Sequence, residues 1–136
     1  MNLLITGASG YVGSYLCHVL KNNHTVIPCY GRSHIDLTNS QSVEQLLNNV
    51  DVVIHCATAG SYATNSADSC IFKDNLTMFM NFYTNKHKFK KFINIGSGAE
   101  FDLNTDICLA KESDIFIKNP TSDYGLSKNL IAKIAL

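Results

Sequence analysis

Apolar and polar positions along this chain switch repeatedly between the period of a strand and the period of a helix. Asn2-Leu3-Leu4-Ile5-Thr6 is a short apolar run closed by a glycine, which predicts a strand buried on both faces. Tyr11 to Leu20 follows with Val12, Leu16, Val19 and Leu20 at helical spacing, and Asn22-Asn23 ends that helix. Thr25 to Tyr30 predicts a second strand, weakened at Pro28, which supplies no ladder donor. Gly31-Arg32-Ser33 turns the chain, and His34-Ile35-Asp36 has the makings of a very short third strand. Thr38 and Gln41 stand at capping-box spacing before a helix with Val43, Leu46 and Leu47 on one face. Asp51 to Cys56 is the next buried strand. A loop rich in Ser, Ala, Thr and Asn runs to about Ser69, after which Phe72, Leu76, Phe79, Met80 and Tyr83 recur at helical spacing. Phe92 to Ile95 is a further strand, ended by Gly96-Ser97-Gly98. An irregular stretch then leads past Pro120 into a last helix that begins near Ser122 and is still running at Leu136.

Alternation of this kind predicts an α/β fold, a doubly wound parallel sheet with right-handed connections. The 136 residues form one domain on length, with no linker or internal repeat to divide them. Eleven basic and eleven acidic residues cancel, so the bulk electrostatics that draw a protein to nucleic acid or to an anionic membrane are missing. The basic run Lys86-His87-Lys88-Phe89-Lys90-Lys91 is expected at a helix C-terminus, where cations complement the dipole. Cys17, Cys29, Cys56, Cys70 and Cys108 are odd in number and scattered, without metal-ligand spacing. They are expected to be buried, reduced thiols, with no metal site. The first twenty residues lack a basic region and are broken by Gly7, Gly10 and Gly13, unlike a signal peptide. No stretch is apolar enough to span a bilayer. A cytoplasmic protein with no membrane and no nucleic-acid partner is expected.

Thr6-Gly7-Ala8-Ser9-Gly10-Tyr11-Val12-Gly13 sits where the first strand turns into the first helix. Gly7 permits the tight turn, Gly10 lets backbone approach a pyrophosphate, and Gly13 lets the helix pack closely. The helix N-terminus offers N–H groups and a positive dipole end to the phosphates. Tyr124 and Lys128 stand four apart on the last helix and share a face. An ammonium one turn away favours a phenolate, which makes a tyrosine usable as a general acid or base near neutral pH. Ser97, at the end of a strand, can hydrogen-bond the same substrate oxygen.

These elements resemble the short-chain dehydrogenase/reductase superfamily, in particular its extended branch of nucleotide-sugar epimerases, dehydratases and reductases. The glycine motif is joined by Asp36-Leu37-Thr38, by Asp51-Val52-Val53-Ile54-His55-Cys56-Ala57, by Asn75 in the central helix, by Ile95-Gly96-Ser97 and by Tyr124-Gly125-Leu126-Ser127-Lys128. The resemblance implies a Rossmann-type fold binding NADP or NAD. It implies Ser97, Tyr124 and Lys128 as the catalytic group, with Lys128 also holding the nicotinamide ribose. It places Gly7, Ser9, Gly10, Tyr11, Val12, Gly13, Arg32, Asp36, Leu37, Cys56, Ala57 and Asn75 around the cofactor, and a nucleotide sugar as substrate.

Two features refine that expectation. No acidic residue occurs between Thr25 and His34 to hold a ribose 2′-hydroxyl, and Arg32 is placed to meet a 2′-phosphate, so NADP is preferred. The short path from the second strand to Asp36 is similar to GDP-fucose synthase and the dTDP-4-dehydrorhamnose reductases. Departures are Ala99, where GDP-fucose synthase has a catalytic Cys, Phe101, where a Tyr is common, and the unusual Glu100. The chain stops inside the Tyr124 helix, whereas the resembled proteins continue into a small substrate domain. The expectation is therefore a fold truncated after that helix, with Leu130, Ile131 and Ile134 uncovered, prone to form a homodimer and inactive alone. A non-catalytic dinucleotide-binding module, or a regulator of the same fold, is the competing reading, and turnover separates it from an enzyme.

Overall fold

The computed structural model describes residues 1–61, 70–102 and 109–136. The chain forms two compact units, one from Met1–Thr58 with Thr77–Ile95, the other from Ala59–Leu76 with Gly96–Leu136. The sheet unit holds strands β1 (Asn2–Thr6), β2 (Thr25–Cys29), β3 (Val52–His55) and β4 (Lys91–Asn94). It also holds helices α1 (Tyr11–Leu20) and α2 (Ser40–Leu46) and the C-terminal part of α3 (Ile71–Thr84). The four strands are parallel in the order β2-β1-β3-β4. Pro28 is tolerated because β2 is an edge strand. The chain leaves β1 toward β2 on one side and returns to pair β3 on the other. That reversal of strand order marks a topological switch point at the carboxyl ends of β1 and β3.

Both faces of this sheet are covered, as a doubly wound fold requires. Leu3 and Ile5 align with Val52 and Ile54 on one face, packed by Leu16, Cys17 and Leu20 of α1. On the other face His55 lies 5.3 Å from the Phe82 ring and 5.9 Å from Phe92, and Phe79 joins the same cluster. Two expected apolar stripes are rotated. Val12 and Val19 of α1 are exposed, and the inner face is Gly13, Leu16, Cys17 and Leu20. On α3 the buried positions are Ile71, Asn75, Met78, Phe79 and Phe82, one residue before the expected set. A buried polar Asn75 and a glycine at the contact point hide the true stripes from a count of apolar residues.

The short strand at His34–Asp36 does not form. The Asp36 carboxylate accepts from the Thr38 amide at 2.9 Å and the Thr38 hydroxyl at 2.7 Å, which bends the chain at once. The capping residue of α2 is Asn39, whose side chain accepts from the Ser42 amide, rather than Thr38. The basic run is a 3₁₀ turn leading into β4, with Lys88 paired to Glu44 at 2.6 Å, Lys90 to Asp51 at 2.8 Å and Lys86 over the Tyr83 ring. Cys29 is buried, its thiol pushed up to about 11 by desolvation. Cys17 and Cys56 are half-buried and Cys70 is exposed, so the expectation of buried thiols fails for these; Cys108 lies outside the described residues.

The second unit contains the start of α3, 3₁₀ turns at Gly98–Glu100 and Glu112–Phe116, and helix α4 (Asp123–Ala135). Ser122 caps α4 by accepting from the Gly125 amide at 3.1 Å. Asn129 donates to the carbonyls of Glu100 at 2.8 Å and Ile115 at 3.0 Å, tying α4 to both turns. Ile131 is buried rather than uncovered, because α4 packs on those turns. Among the described residues no helix is long and apolar enough to cross a membrane.

Candidate functional site

The sheet unit opens at the carboxyl ends of β1, β2 and β3 into a cleft of about 230 Å³. Gly7, Ser9 and Gly10 line it after β1, Arg32, Asp36 and Leu37 after β2, and Cys56 and Ala57 after β3. Gly7 has φ +66, and a Cβ there would lie 2.8 Å from the Ala57 amide nitrogen, so the turn after β1 rests directly on the end of β3. A Cβ on Gly13 would lie 2.2 Å from the Gly7 carbonyl, so only glycine lets α1 start this close to the turn. Gly13 thus acts through packing.

Gly10 is the N-cap of α1, and no side chain caps the helix. Its carbonyl accepts from the Ser14 amide, the first helical bond. The amides of Tyr11, Val12 and Gly13 fall in the first turn, where the helix itself supplies no acceptor. With the dipole's positive end they suit an anion beside Gly10. Tyr11 is 93% exposed and Val12 is also exposed, so what these two residues offer the cleft is their backbone amides. These features fit a dinucleotide, whose pyrophosphate needs close backbone approach and uncommitted N–H groups.

The floor of the cleft is braced by a polar network that the glycine motif does not announce. The Thr6 hydroxyl accepts from the Cys56 and Ala57 amides, each at 3.1 Å, and lies 2.8 Å from His55 Nδ1. The two amides engage both lone pairs of the hydroxyl, which leaves its proton to face His55 Nδ1. The parallel register of β1 and β3 sets Thr6 beside His55, a pairing that the sequence alone does not mark.

At the β2 end, Arg32 Nε lies 3.6 Å from Asp36 Oδ1, and the Arg32 side chain is 60% exposed. The two Thr38 hydrogen bonds, and then the Arg32 charge, hold the Asp36 carboxyl below its usual range. Asn81 of α3 donates to the Leu37 carbonyl at 2.9 Å and fixes this wall. Tyr30, Gly31, Ile35, Thr58 and Met78 also line the cleft and were not foreseen. An aromatic residue and a glycine directly after the second strand are the available signals for Tyr30 and Gly31; nothing in the sequence marks Met78.

Ser97, Tyr124 and Lys128 all fall in the second unit. Ser97 caps the Gly98–Glu100 turn, its hydroxyl accepting from the Ala99 amide at 3.2 Å. Helix α4 is drawn onto that turn by Asn129 and by Gly125, where a Cβ would lie 2.7 Å from the Ala99 carbonyl. Tyr124 is half-buried and Lys128 is 6% exposed on the same helix face, one turn apart. Asn75, expected at the cofactor, accepts from the Ala59 amide at 2.6 Å and donates to the Ala59 carbonyl and the Ser127 hydroxyl, each at 3.1 Å. It joins the segment after β3 to α4.

Among solved structures, the chain is similar to a GDP-mannoheptose C4 reductase from Campylobacter jejuni with NADP bound, at 24% identity and TM-score 0.83 over 98% of this chain and 45% of that one. It is similar to a GDP-L-fucose synthetase from Naegleria fowleri, at 20% identity and TM-score 0.80 over 98% and 42%. RMD from Pseudomonas aeruginosa, complexed with NADPH, matches at 26% identity and TM-score 0.74 over 99% and 48%. The chain thus spans less than half the length of these proteins. A family model describing NAD-dependent epimerases and dehydratases matches residues 3–136, and with a glycine turn, switch-point cleft and Tyr124–Lys128 helix in place, this chain belongs to that family.

Proposed function

We propose that the chain is the NAD(P)-binding part of a nucleotide-sugar reductase, epimerase or dehydratase, with Ser97, Tyr124 and Lys128 as its reaction group. The observation that carries this reading is the cleft at the switch point, lined by Gly7, Ser9 and Gly10 at the uncapped start of α1. Family membership and fold neighbours that reduce GDP-linked sugars support it. NADP is the preferred cofactor, because Arg32 is exposed at the cleft wall and can exchange its partner Asp36 for a 2′-phosphate.

When bound, the dinucleotide supplies hydride transfer at its nicotinamide. The chain's own residues manage the pyrophosphate and the proton. Backbone amides at the start of α1 hold the pyrophosphate. The Ser97 hydroxyl already accepts one N–H bond, which leaves its proton to be donated to a substrate oxygen. The Tyr124 hydroxyl exchanges a proton with that oxygen as general acid or base. Lys128, buried one turn away on the same helix face, holds the nicotinamide ribose beside Tyr124. NADPH oxidation with a panel of 4-keto nucleotide sugars, by this chain joined to a substrate domain of the family, tests the assignment. Tyr124→Phe is expected to reduce turnover by about 10²–10⁴-fold, the range of general acid–base catalysis. Turnover unchanged in Tyr124→Phe removes the residue from the reaction.

A further inference from the structure

Glu100 stands beside the reaction group, although the sequence treats it only as unusual. Its Oε1 accepts from the Ser97 amide at 2.8 Å, closing a reciprocal cap with the Ser97 hydroxyl. Gly96 makes room for that carboxylate: a Cβ there would lie 2.7 Å from Oε1. The Glu100 backbone is held in turn, its carbonyl accepting from Asn129 of α4 at 2.8 Å. Glu100 is thus fixed to Ser97 by its side chain and to the Lys128 helix by its main chain. A half-buried carboxylate needs a compensating cation or donors, and among the described residues of this unit Lys128 is the buried cation.

We propose that Glu100 is a positioning residue for the reaction group, orienting Ser97 through its amide and balancing the charge of Lys128. The inference rests on the assignment of Ser97 and Lys128 to the reaction. The reciprocal cap sets the Ser97 backbone so that the Ala99 amide occupies one lone pair of its hydroxyl, leaving the hydroxyl as a donor. Burial pushes the Glu100 carboxyl above its ordinary value, and the Ser97 amide and then Lys128 pull it back only in part, which agrees with a carboxylate set between a donor and a cation.

The full chain labelled with ¹³C and ¹⁵N tests this by NMR. In Glu100→Gln the acceptor remains, and the Ser97 amide resonance is expected near its wild-type position. In Glu100→Ala, and in Gly96→Ala, which displaces the carboxylate at little cost because only a flexible side-chain end must move, the resonance is expected to shift upfield. The side-chain carboxyl of Glu100, followed from pH 3 to 9, is expected to titrate higher in Lys128→Met than in wild type. An unmoved Ser97 amide in both alanine variants, or identical Glu100 titration with and without Lys128, overturns the proposal. These readouts do not depend on turnover. If they come out as expected while Tyr124→Phe keeps full activity, the catalytic assignment fails and the positioning geometry stands.

Discussion

The sheet unit buries Leu4, Ile5, Val53, Phe79 and Phe82 completely, whereas the residues most buried on α4 are Ser127, Asn129, Ile131 and Lys128. The first is a layered apolar core on both faces of a parallel sheet. The second is a set of turns tied by side-chain hydrogen bonds from Asn75 and Asn129. Apolar burial has no direction and rewards area; a buried hydrogen bond fixes an angle and is costly to leave unmade. In the proposed function, the sheet unit needs a rigid frame on which backbone amides bind an anion, and the α4 unit must aim a hydroxyl, a phenol and an ammonium, which directional bonds can do.

The sharpest way to break this contrast is to truncate each core. Phe79→Ala is expected to destabilise the chain by about 3–5 kcal/mol through lost transfer energy and a cavity. Asn129→Ala is expected to cost about 1–3 kcal/mol, because two carbonyls lose their donor. Asn129→Leu, which restores volume without donors, should recover none of it. Urea unfolding measures all three, and a Leu variant as stable as wild type would show that packing, not direction, holds α4.

A smaller effect separates the two ends of the cleft. Arg32→Ala is expected to weaken NADPH by about 1.5–3 kcal/mol, the range of a charged hydrogen bond, and to leave NADH nearly unchanged. Fluorescence titration of both cofactors reads this directly. Equal losses for the two would place Arg32 in the wall of the cleft rather than on the 2′-phosphate.

The smallest effect is a difference of sign between two acids. Hydrogen bonds from Thr38, then Arg32, hold the Asp36 carboxyl low. Its contribution is present above the ordinary carboxylate range and is lost as pH falls through the folded value. Burial raises the Glu100 carboxyl. The folded state then binds its proton more readily than the unfolded chain, so stability falls as pH rises from the ordinary glutamate value through the folded one. Asp36→Asn should therefore flatten the acid limb of a melting-temperature profile, and Glu100→Gln should flatten the decline above it. A change of the same sign in both variants contradicts the account.

The chain announces its frame more openly than its site. The bounds of β1 and α1 and the parallel order follow from apolar runs and glycines, because a buried strand and a helix start have strong one-dimensional signatures. The rotated faces of α1 and α3 were hidden, since Gly13 and Asn75 occupy inward positions that a count of apolar residues passes over. The strand at His34–Asp36 was lost to an Asx turn, a local bond that competes with any short strand. The glycine turn was legible from its spacing, and Ser97, Tyr124 and Lys128 are singled out by spacing and resemblance as the proposed reaction group. Thr6–His55 and Glu100–Ser97 were not legible, because each depends on cross-strand register or on a turn whose shape appears only in three dimensions.

The central claim is that the switch-point cleft of the sheet unit binds a nicotinamide dinucleotide through the start of α1. NADPH titration of the wild-type chain and of Gly10→Val, followed by ligand fluorescence, tests it most directly. A Cβ on Gly10 would meet only the Gly7 carbonyl, at 3.3 Å, so the fold should survive while the branched side chain blocks the pyrophosphate. The account predicts saturable binding by the wild type and a loss of at least about tenfold in Gly10→Val, the removal of one charge-assisted contact of roughly 1.5–3 kcal/mol. Equal affinity of the two proteins, both folded by circular dichroism, would contradict it.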